Sequence, residues 1–176
     1  MKKYIFIALI GIGASGVLSA QNFKFGHING QEVIALMPER DSAEAKFTAY
    51  AKDLSEQVET MQVEYNNKLN NYQKSAKTWG DAIREQKEKE LQELGQRIQE
   101  FQVAAQQDLQ KQQADLLRPV IEKANAAIKK VAAEGGFTYI FDVSNTAISY
   151  WNPEQSTDIM PLVRKELSIT KELPKK

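Results

Sequence analysis

Cysteine is missing from the 176 residues. Disulfide staples, thiol nucleophiles, thiol redox chemistry and cysteine-ligated zinc are therefore excluded together. Histidine occurs once, as His27, and a lone imidazole cannot complete most transition-metal sites. It stands in the alternating segment Phe23-Lys24-Phe25-Gly26-His27-Ile28, where the expected role is a strand histidine facing solvent or a neighbour. Neither charge is in excess: lysine plus arginine number 23, and so do aspartate plus glutamate. That balance gives a nucleic acid no net positive surface to bind. Long apolar runs are scarce as well, and Tyr4–Ile12 is shorter than the ~20 residues of a membrane-spanning helix. The run follows Lys2 and Lys3 and leads to the small-residue exit Leu18-Ser19-Ala20, the layout of a secretory signal peptide. Residues 1–20 are expected to be cleaved before Gln21, leaving 21 basic and 23 acidic residues. Since Gln21 is not cysteine, no lipid anchor is indicated.

Proline is sparse, at 38, 119, 153, 161 and 174. Between Pro38 and Pro119 there is none, and the only glycines there are Gly80 and Gly95. This tract is dominated by Ala, Gln, Glu, Lys and Leu, which lose little side-chain freedom in a helix. Positions 47, 51, 54, 58, 61, 65, 68, 72, 75 and 79 read Phe, Ala, Leu, Val, Met, Tyr, Lys, Tyr, Ser, Trp, the period of a coiled-coil seam. A second series follows at 91, 94, 98, 101 and 105, reading Leu, Leu, Ile, Phe, Ala, and Leu109 and Leu116 continue it with a slip of register. Between the two series a helix-ending glycine precedes an aspartate suited to capping the next helix. Trp79, Gly80 and Asp81 are thus the expected tip of an antiparallel hairpin over 41–118, with arms of roughly 55–60 Å. The distal half is expected to be thinly packed, because Arg84 and Lys87 fall opposite Tyr72 and Trp79. The stripe Met61, Tyr65, Tyr72 and Trp79 has two readings, hairpin core or aromatic surface kept for a binding partner. Pro119 is expected to kink the returning helix or open its last section, and Gly135-Gly136 to stop it.

The two ends of the mature chain form the other unit, residues 21–40 with 119–170. Phe23–Ile28 and Phe137–Asp142 read as strands, Val143-Ser144-Asn145 as a turn, and Ala147–Trp151 as the returning strand. Asn29–Met37 reads as a short helix, as does Met160–Leu167, with Thr157 or Asp158 as its cap and Pro161 in its first turn. Residues 171–176 form a polar tail expected to be loose. Three strands and a few short helices bury little surface and leave strand edges open, and closed symmetric assembly removes both problems. Phe25, Ile28, Tyr139, Ile140, Phe141, Ile148 and Tyr150 are the candidates for that oligomerisation body. The expected fold is α+β, mainly α: a small β-barrel-like body completed by oligomerisation and carrying a long antiparallel helical arm. Carboxylate pairs such as Glu88/Glu90 lie on a mixed solvated rod without an enclosing pocket, so catalysis and cofactors are not expected.

With these pieces in place, the chain resembles the Skp/OmpH family of periplasmic chaperones. The resemblance rests on the exported start, the strand Phe25-Gly26-His27-Ile28-Asn29, the Met37-Pro38-Glu39 junction and the charged helical hairpin. It is most specific in Arg118-Pro119-Val120, the run Ala133-Glu134-Gly135-Gly136-Phe137-Thr138-Tyr139-Ile140-Phe141-Asp142, and Tyr150-Trp151-Asn152-Pro153. It implies a homotrimer shaped like a jellyfish, whose arms enclose unfolded outer-membrane proteins before insertion, without ATP. Flexible aromatic and methionine side chains suit such weak, non-directional holding, with Met61, Tyr65, Tyr72 and Trp79 as client-contact candidates. The better-known members are strongly basic, whereas Asp41–Arg118 here holds 11 basic and 14 acidic residues. That balance argues against membrane-surface or lipopolysaccharide capture. The mixed charges about the tip, Lys74, Lys77, Arg84, Lys87 and Lys89 among Asp81, Glu85, Glu88 and Glu90, read as a solvated face. The alternative is an envelope adaptor whose hairpin docks on another helical partner, with no chaperone activity.

Overall fold

A computed structural model describes residues 23–145 and 147–171. The expected export signal, the Gln21 start, and residues 172–176 of the expected tail lie outside the described residues. The chain runs β1 (Phe25–Ile28), α1 (Gly30–Leu36), α2 (Pro38–Ser75), a 3₁₀ turn (Ala76–Thr78), α3 (Asp81–Glu134), β2 (Tyr139–Asp142), β3 (Ser156–Asp158) and α4 (Met160–Glu166).

Local chemistry sets most of these boundaries. The Asn29 side chain accepts from the Glu32 N–H at 3.0 Å and starts α1. Met37, in extended conformation, separates α1 from α2, and Pro38 occupies the opening of α2, where its missing N–H is not needed. The 38 residues of α2 make a rod of about 57 Å. The helix does not end on a left-handed Gly80: the 3₁₀ turn closes it, and Gly80, at φ −69°, is the N-cap of α3. Asp81, expected as that cap, is instead the first helical residue, and its carboxylate accepts from Arg84 at 2.8 Å. Pro119 does not open the returning helix, because α3 continues from Asp81 to Glu134. A proline removes one amide donor, and here the surrounding apolar contacts of Leu116, Val120 and Ala124 hold the turn in place. At α4 the N-cap is Ile159 rather than Thr157 or Asp158, although the Asp158 carboxylate accepts from the Met160 N–H at 2.8 Å.

The end of α3 is a Schellman motif. Phe137 N–H bonds Ala132 C=O at 3.0 Å, Gly136 N–H bonds Ala133 C=O at 3.2 Å, and Gly136 carries φ +64°. Lys24 from the start of the described chain adds a cation there, donating to Gly135 C=O at 2.8 Å and lying over the Phe137 ring. Helix α4 closes the same way, with Ile169 N–H on Arg164 C=O at 2.9 Å, yet its left-handed position is Ser168 at φ 54°. A side chain in that region is strained, so Ser168→Gly is expected to stabilise the protein by roughly 0.5–1 kcal/mol. A lowered urea midpoint would refute this.

The strands form one sheet, ordered β2-β1-β3 and wholly parallel. This corrects the expected hairpin. Val143 N–H bonds Ile28 C=O at 2.9 Å, and the chain then crosses to the other edge of β1. Ala147–Trp151, with Ile148 and Tyr150, is not a strand; the third strand is the short polar Ser156-Thr157-Asp158. Parallel neighbours need a crossover, and a three-residue edge strand is defined by its partner more than by its own propensity.

The sheet's inner face packs on α1, the root of α2, the end of α3 and α4. Ile28, Val33, Leu36, Met37, Ile159 and Val163 are its largest fully buried side chains, joined by Val120, Ala124, Ala127, Val131 and Ile169. The body is thus better filled than three strands and short helices imply. The reason is the unbroken course of α3 beyond Pro119, whose last turns enter the body as a further wall.

Candidate functional site

The arm is built from one seam. Along α2 and the turn after it, half-buried side chains recur at Phe47, Ala51, Leu54, Val58, Met61, Tyr65, Leu69, Tyr72, Ser75, Ala76 and Trp79. Leu69 therefore takes the place expected for Lys68, which is exposed and pairs with Glu64 at 3.5 Å. A strict seven-residue repeat drifts ~20° per heptad on a straight helix, so after three heptads one extra step of four restores the apolar face. On α3 the seam runs through Leu91, Leu94, Ile98, Phe101, Ala105, Leu109 and Leu116. Leu94 and Ile98 are its buried centre, 2% and 6% exposed, and the Tyr65 ring lies beside Gly95 at a distance that would leave a Cβ there in ordinary contact.

Two cross-helix hydrogen bonds escaped the sequence reading. Tyr50 Oη donates to Asp108, and Tyr72 Oη donates to Glu88. Each phenol is held above its ordinary pKa by the hydrogen bond to its carboxylate. Tyr72 also packs edge-on against Trp79, with ring centroids 6.1 Å apart. Of the client-contact candidates, Met61, Tyr65, Tyr72 and Trp79 thus all lie on the seam and are all half-exposed. Arg84 and Lys87 do flank the distal aromatics, half-buried, with Lys87 bonding Glu90 at 2.8 Å. A signal for the tyrosine bonds exists in retrospect: Asp108 and Glu88 fall level with Tyr50 and Tyr72 once the turn is placed at Gly80.

Two surface ion pairs brace the root of α2 against later parts of the chain. Lys123 pairs with Glu39, and Lys171 reaches back to Asp41 at 2.8 Å. Lys171, assigned to the loose tail, is therefore anchored, with its carbonyl accepting from Arg164 at 2.9 Å. The ammonium donors hold the Glu39 and Asp41 carboxyls below the usual carboxylate range. Such lowered groups stabilise the fold above the ordinary value near 4 and lose that contribution as pH falls through their folded values. The melting temperature of the wild type should exceed that of Glu39→Gln/Asp41→Asn at neutral pH, and the gap should close as pH falls below the ordinary carboxylate range. A gap of constant size would sink the assignment.

The body's outer sheet face is bare and aromatic. Phe25, Tyr139 and Phe141 lie with centroids 6.2–6.3 Å apart, Phe23 extends the row, and Tyr139 is 61% exposed. His27 Nδ1 lies 2.9 Å from Ser156 Oγ, and its ring is 5.0 Å from that of Trp151. Ile148 and Tyr150 contribute from a loop, lining with Phe25, Phe141 and Trp151 an open apolar recess of about 230 Å³. Ile28 and Ile140, the other body candidates, point to the opposite face: Ile28 is in the chain's own core and Ile140 packs against it. Asp142 closes β2. Partial burial pushes its carboxyl up, but N–H donors from Ser144 and Gly30 outweigh this and hold it low. Among the described residues no helix is long and apolar enough to cross a membrane, and no group of three or more acidic or histidine side chains is placed to hold a metal ion.

A model of the family described as Outer membrane protein (OmpH-like) matches residues 24–167. The Chaperone protein Skp of Yersinia enterocolitica is 22% identical over 167 residues, 95% of this chain and 99% of that one. The Chaperone protein Skp of Vibrio cholerae is 24% identical over 161 residues, 89% and 92% of the two chains. The crystal structure of an OmpH-like protein from Caulobacter crescentus superposes with a TM-score of 0.71 at 15% identity, covering 88% of this chain and 89% of that one.

Proposed function

The chain belongs to the OmpH-like outer membrane protein family, and from that membership we propose that it is a periplasmic holdase for unfolded outer-membrane proteins. It works as a homotrimer, without nucleotide or catalysis. The observation that carries the reading is the pairing of a slender arm with a bare aromatic sheet face. The outer face of β1 and β2 presents a half-buried Phe25 beside the exposed Tyr139 and Phe141, and among the described residues the outer edges of β2 and β3 have no partner strand. Unpaired edges and an aromatic face favour association with further copies, which closes the barrel-like body and sets the arms around a common space.

Within that space the half-exposed Met61, Tyr65, Tyr72 and Trp79 offer polarisable, non-directional contacts to an unfolded chain. Binding the client lowers its free concentration and slows its aggregation. The turn at Trp79-Gly80-Asp81 forms the far end of the arm, residues 41–118, and residues 21–40 with 119–170 make the body. Two measurements test the proposal together. Mass in solution should be that of a trimer, and Phe25→Lys/Phe141→Lys should reduce it to a monomer with its helices intact. Light scattering of a urea-unfolded porin on dilution should be suppressed by the wild type at stoichiometric amounts. A monomeric wild type, or undiminished scattering as expected of an envelope adaptor, would overturn it.

A further inference from the structure

Asn29-Gly30 is the only asparagine–glycine pair in the sequence, and the fold accounts for both residues. Asn29 caps α1: its side-chain oxygen accepts from the Glu32 N–H at 3.0 Å, and its carbonyl accepts from the Val33 N–H at 3.1 Å. Gly30 leaves clearance for a carboxylate, since a Cβ there would lie 2.8 Å from Asp142 Oδ2. The Gly30 N–H is donated to Asp142 Oδ1 at 3.1 Å. That contact is set by the β1–β2 ladder, in which Ile28 stands opposite Asp142. Cap and clearance together create a chemically fragile dipeptide. With no Cβ on the residue that follows, the backbone nitrogen can approach the asparagine side-chain amide closely.

We propose that Asn29 is a self-modification site, deamidating through a succinimide, and that Asp142 holds it closed while β1 and β2 are paired. The Gly30 nitrogen attacks Asn29 Cγ. That N–C bond forms, the Cγ–Nδ2 bond breaks, and Nδ2 leaves as ammonia with the proton given up by Gly30. Water then opens the ring. Cleavage of the new N–Cγ bond gives aspartate, and cleavage of the original peptide bond gives isoaspartate; no oxidant or reductant takes part. In the folded chain two restraints oppose the first step. The nitrogen must lose its proton to attack, and an anion beside the Asp142 carboxylate is disfavoured by like charge. The Asn29 amide is also held toward Glu32 by the cap, away from alignment with Gly30. Separation of β1 from β2 removes the first restraint, and fraying of α1 removes the second. The two products differ in consequence. Aspartate still caps a helix, whereas isoaspartate lengthens the main chain by a methylene and displaces the carbonyl that accepts from Val33. A chain whose body stays open is thereby marked for loss of α1, and with it the root of α2.

The test incubates the full chain at mildly alkaline pH, native or in urea. The peptide spanning Asn29 is followed by mass and by chromatography that resolves isoaspartate. In urea Asn29 should convert ahead of every other asparagine, and the native wild type should convert at least about tenfold more slowly. Asp142→Ala, with helix content unchanged, should convert at least about threefold faster than the native wild type. Asp142→Asn keeps an acceptor oxygen and removes the charge; its rate should fall between the two, and it replaces the alanine variant if that one does not fold. Asn29→Ser retains a capping oxygen without the amide and should show no conversion in this peptide. Absence of conversion in urea overturns the site. Conversion of the native wild type at the urea rate, or of a folded Asp142 variant at the native wild-type rate, overturns the role of Asp142.

Discussion

Leu94→Ala combined with Ile98→Ala is expected to unravel the distal arm while the body stays folded. These two side chains are the buried centre of the α2–α3 seam, at 2% and 6% exposure, and the rest of the seam beyond the root is only half-buried. Deleting a buried Leu or Ile side chain typically costs about 2–4 kcal/mol, and an isolated two-helix seam has little else to offset the loss. The polar helix faces contribute mainly i,i+4 ion pairs such as Lys52–Glu56 and Lys89–Glu93, each worth a few tenths of a kcal/mol. Amide exchange between about residues 54 and 105 should accelerate by two or more orders of magnitude, while the α3–α4 amides of the body stay protected. Val103→Ala serves as the control, since an exposed valine on the same helix should change stability by less than about 0.5 kcal/mol. Unchanged exchange in the double variant would show that the arm is held by something other than this seam.

The second large effect is expected at Leu36→Ala. Leu36 ends α1 at 1% exposure and belongs to the cluster of Ile28, Met37, Val120, Ala124, Ile159 and Val163. Truncation removes its transfer free energy and leaves a void that the parallel sheet on one side and α3 on the other can only partly close. A loss of about 3 kcal/mol follows, or roughly 5–10 °C in melting temperature for a chain of this size. The consequence reaches the arm, because Met37, fully buried and extended, is the only residue between α1 and α2. If α1 loosens, the direction of α2 is no longer set by the core. Replacement by methionine, which conserves volume, should recover most of the loss; equal damage from both substitutions would point away from cavity formation.

The arm was the legible part of this protein. Its repeat, its proline-free length and the turn near Gly80 are local properties, written within a few residues of where they act. The seam's passage through Leu69 rather than Lys68 was less so, because the mismatch between 3.5 and 3.6 residues per turn accumulates over several turns. The Tyr50–Asp108 and Tyr72–Glu88 bonds join residues 58 and 16 positions apart, and no local pattern announces them. The continuity of α3 through Pro119 likewise depends on neighbours that only the folded body supplies.

Residues alone determined the absence of thiol chemistry, the two long helices, the Schellman stop at Gly135-Gly136 and the even balance of charge. Tertiary structure decided the parallel order β2-β1-β3, the promotion of Ser156–Asp158 to a strand and the exclusion of Ile148 and Tyr150 from one. The division follows from range. Helix periodicity and capping are fixed by neighbours three to five residues away. A strand three residues long exists only because β1 offers it an edge, and His27 and Ser156, which meet across that edge, stand 129 positions apart in the chain.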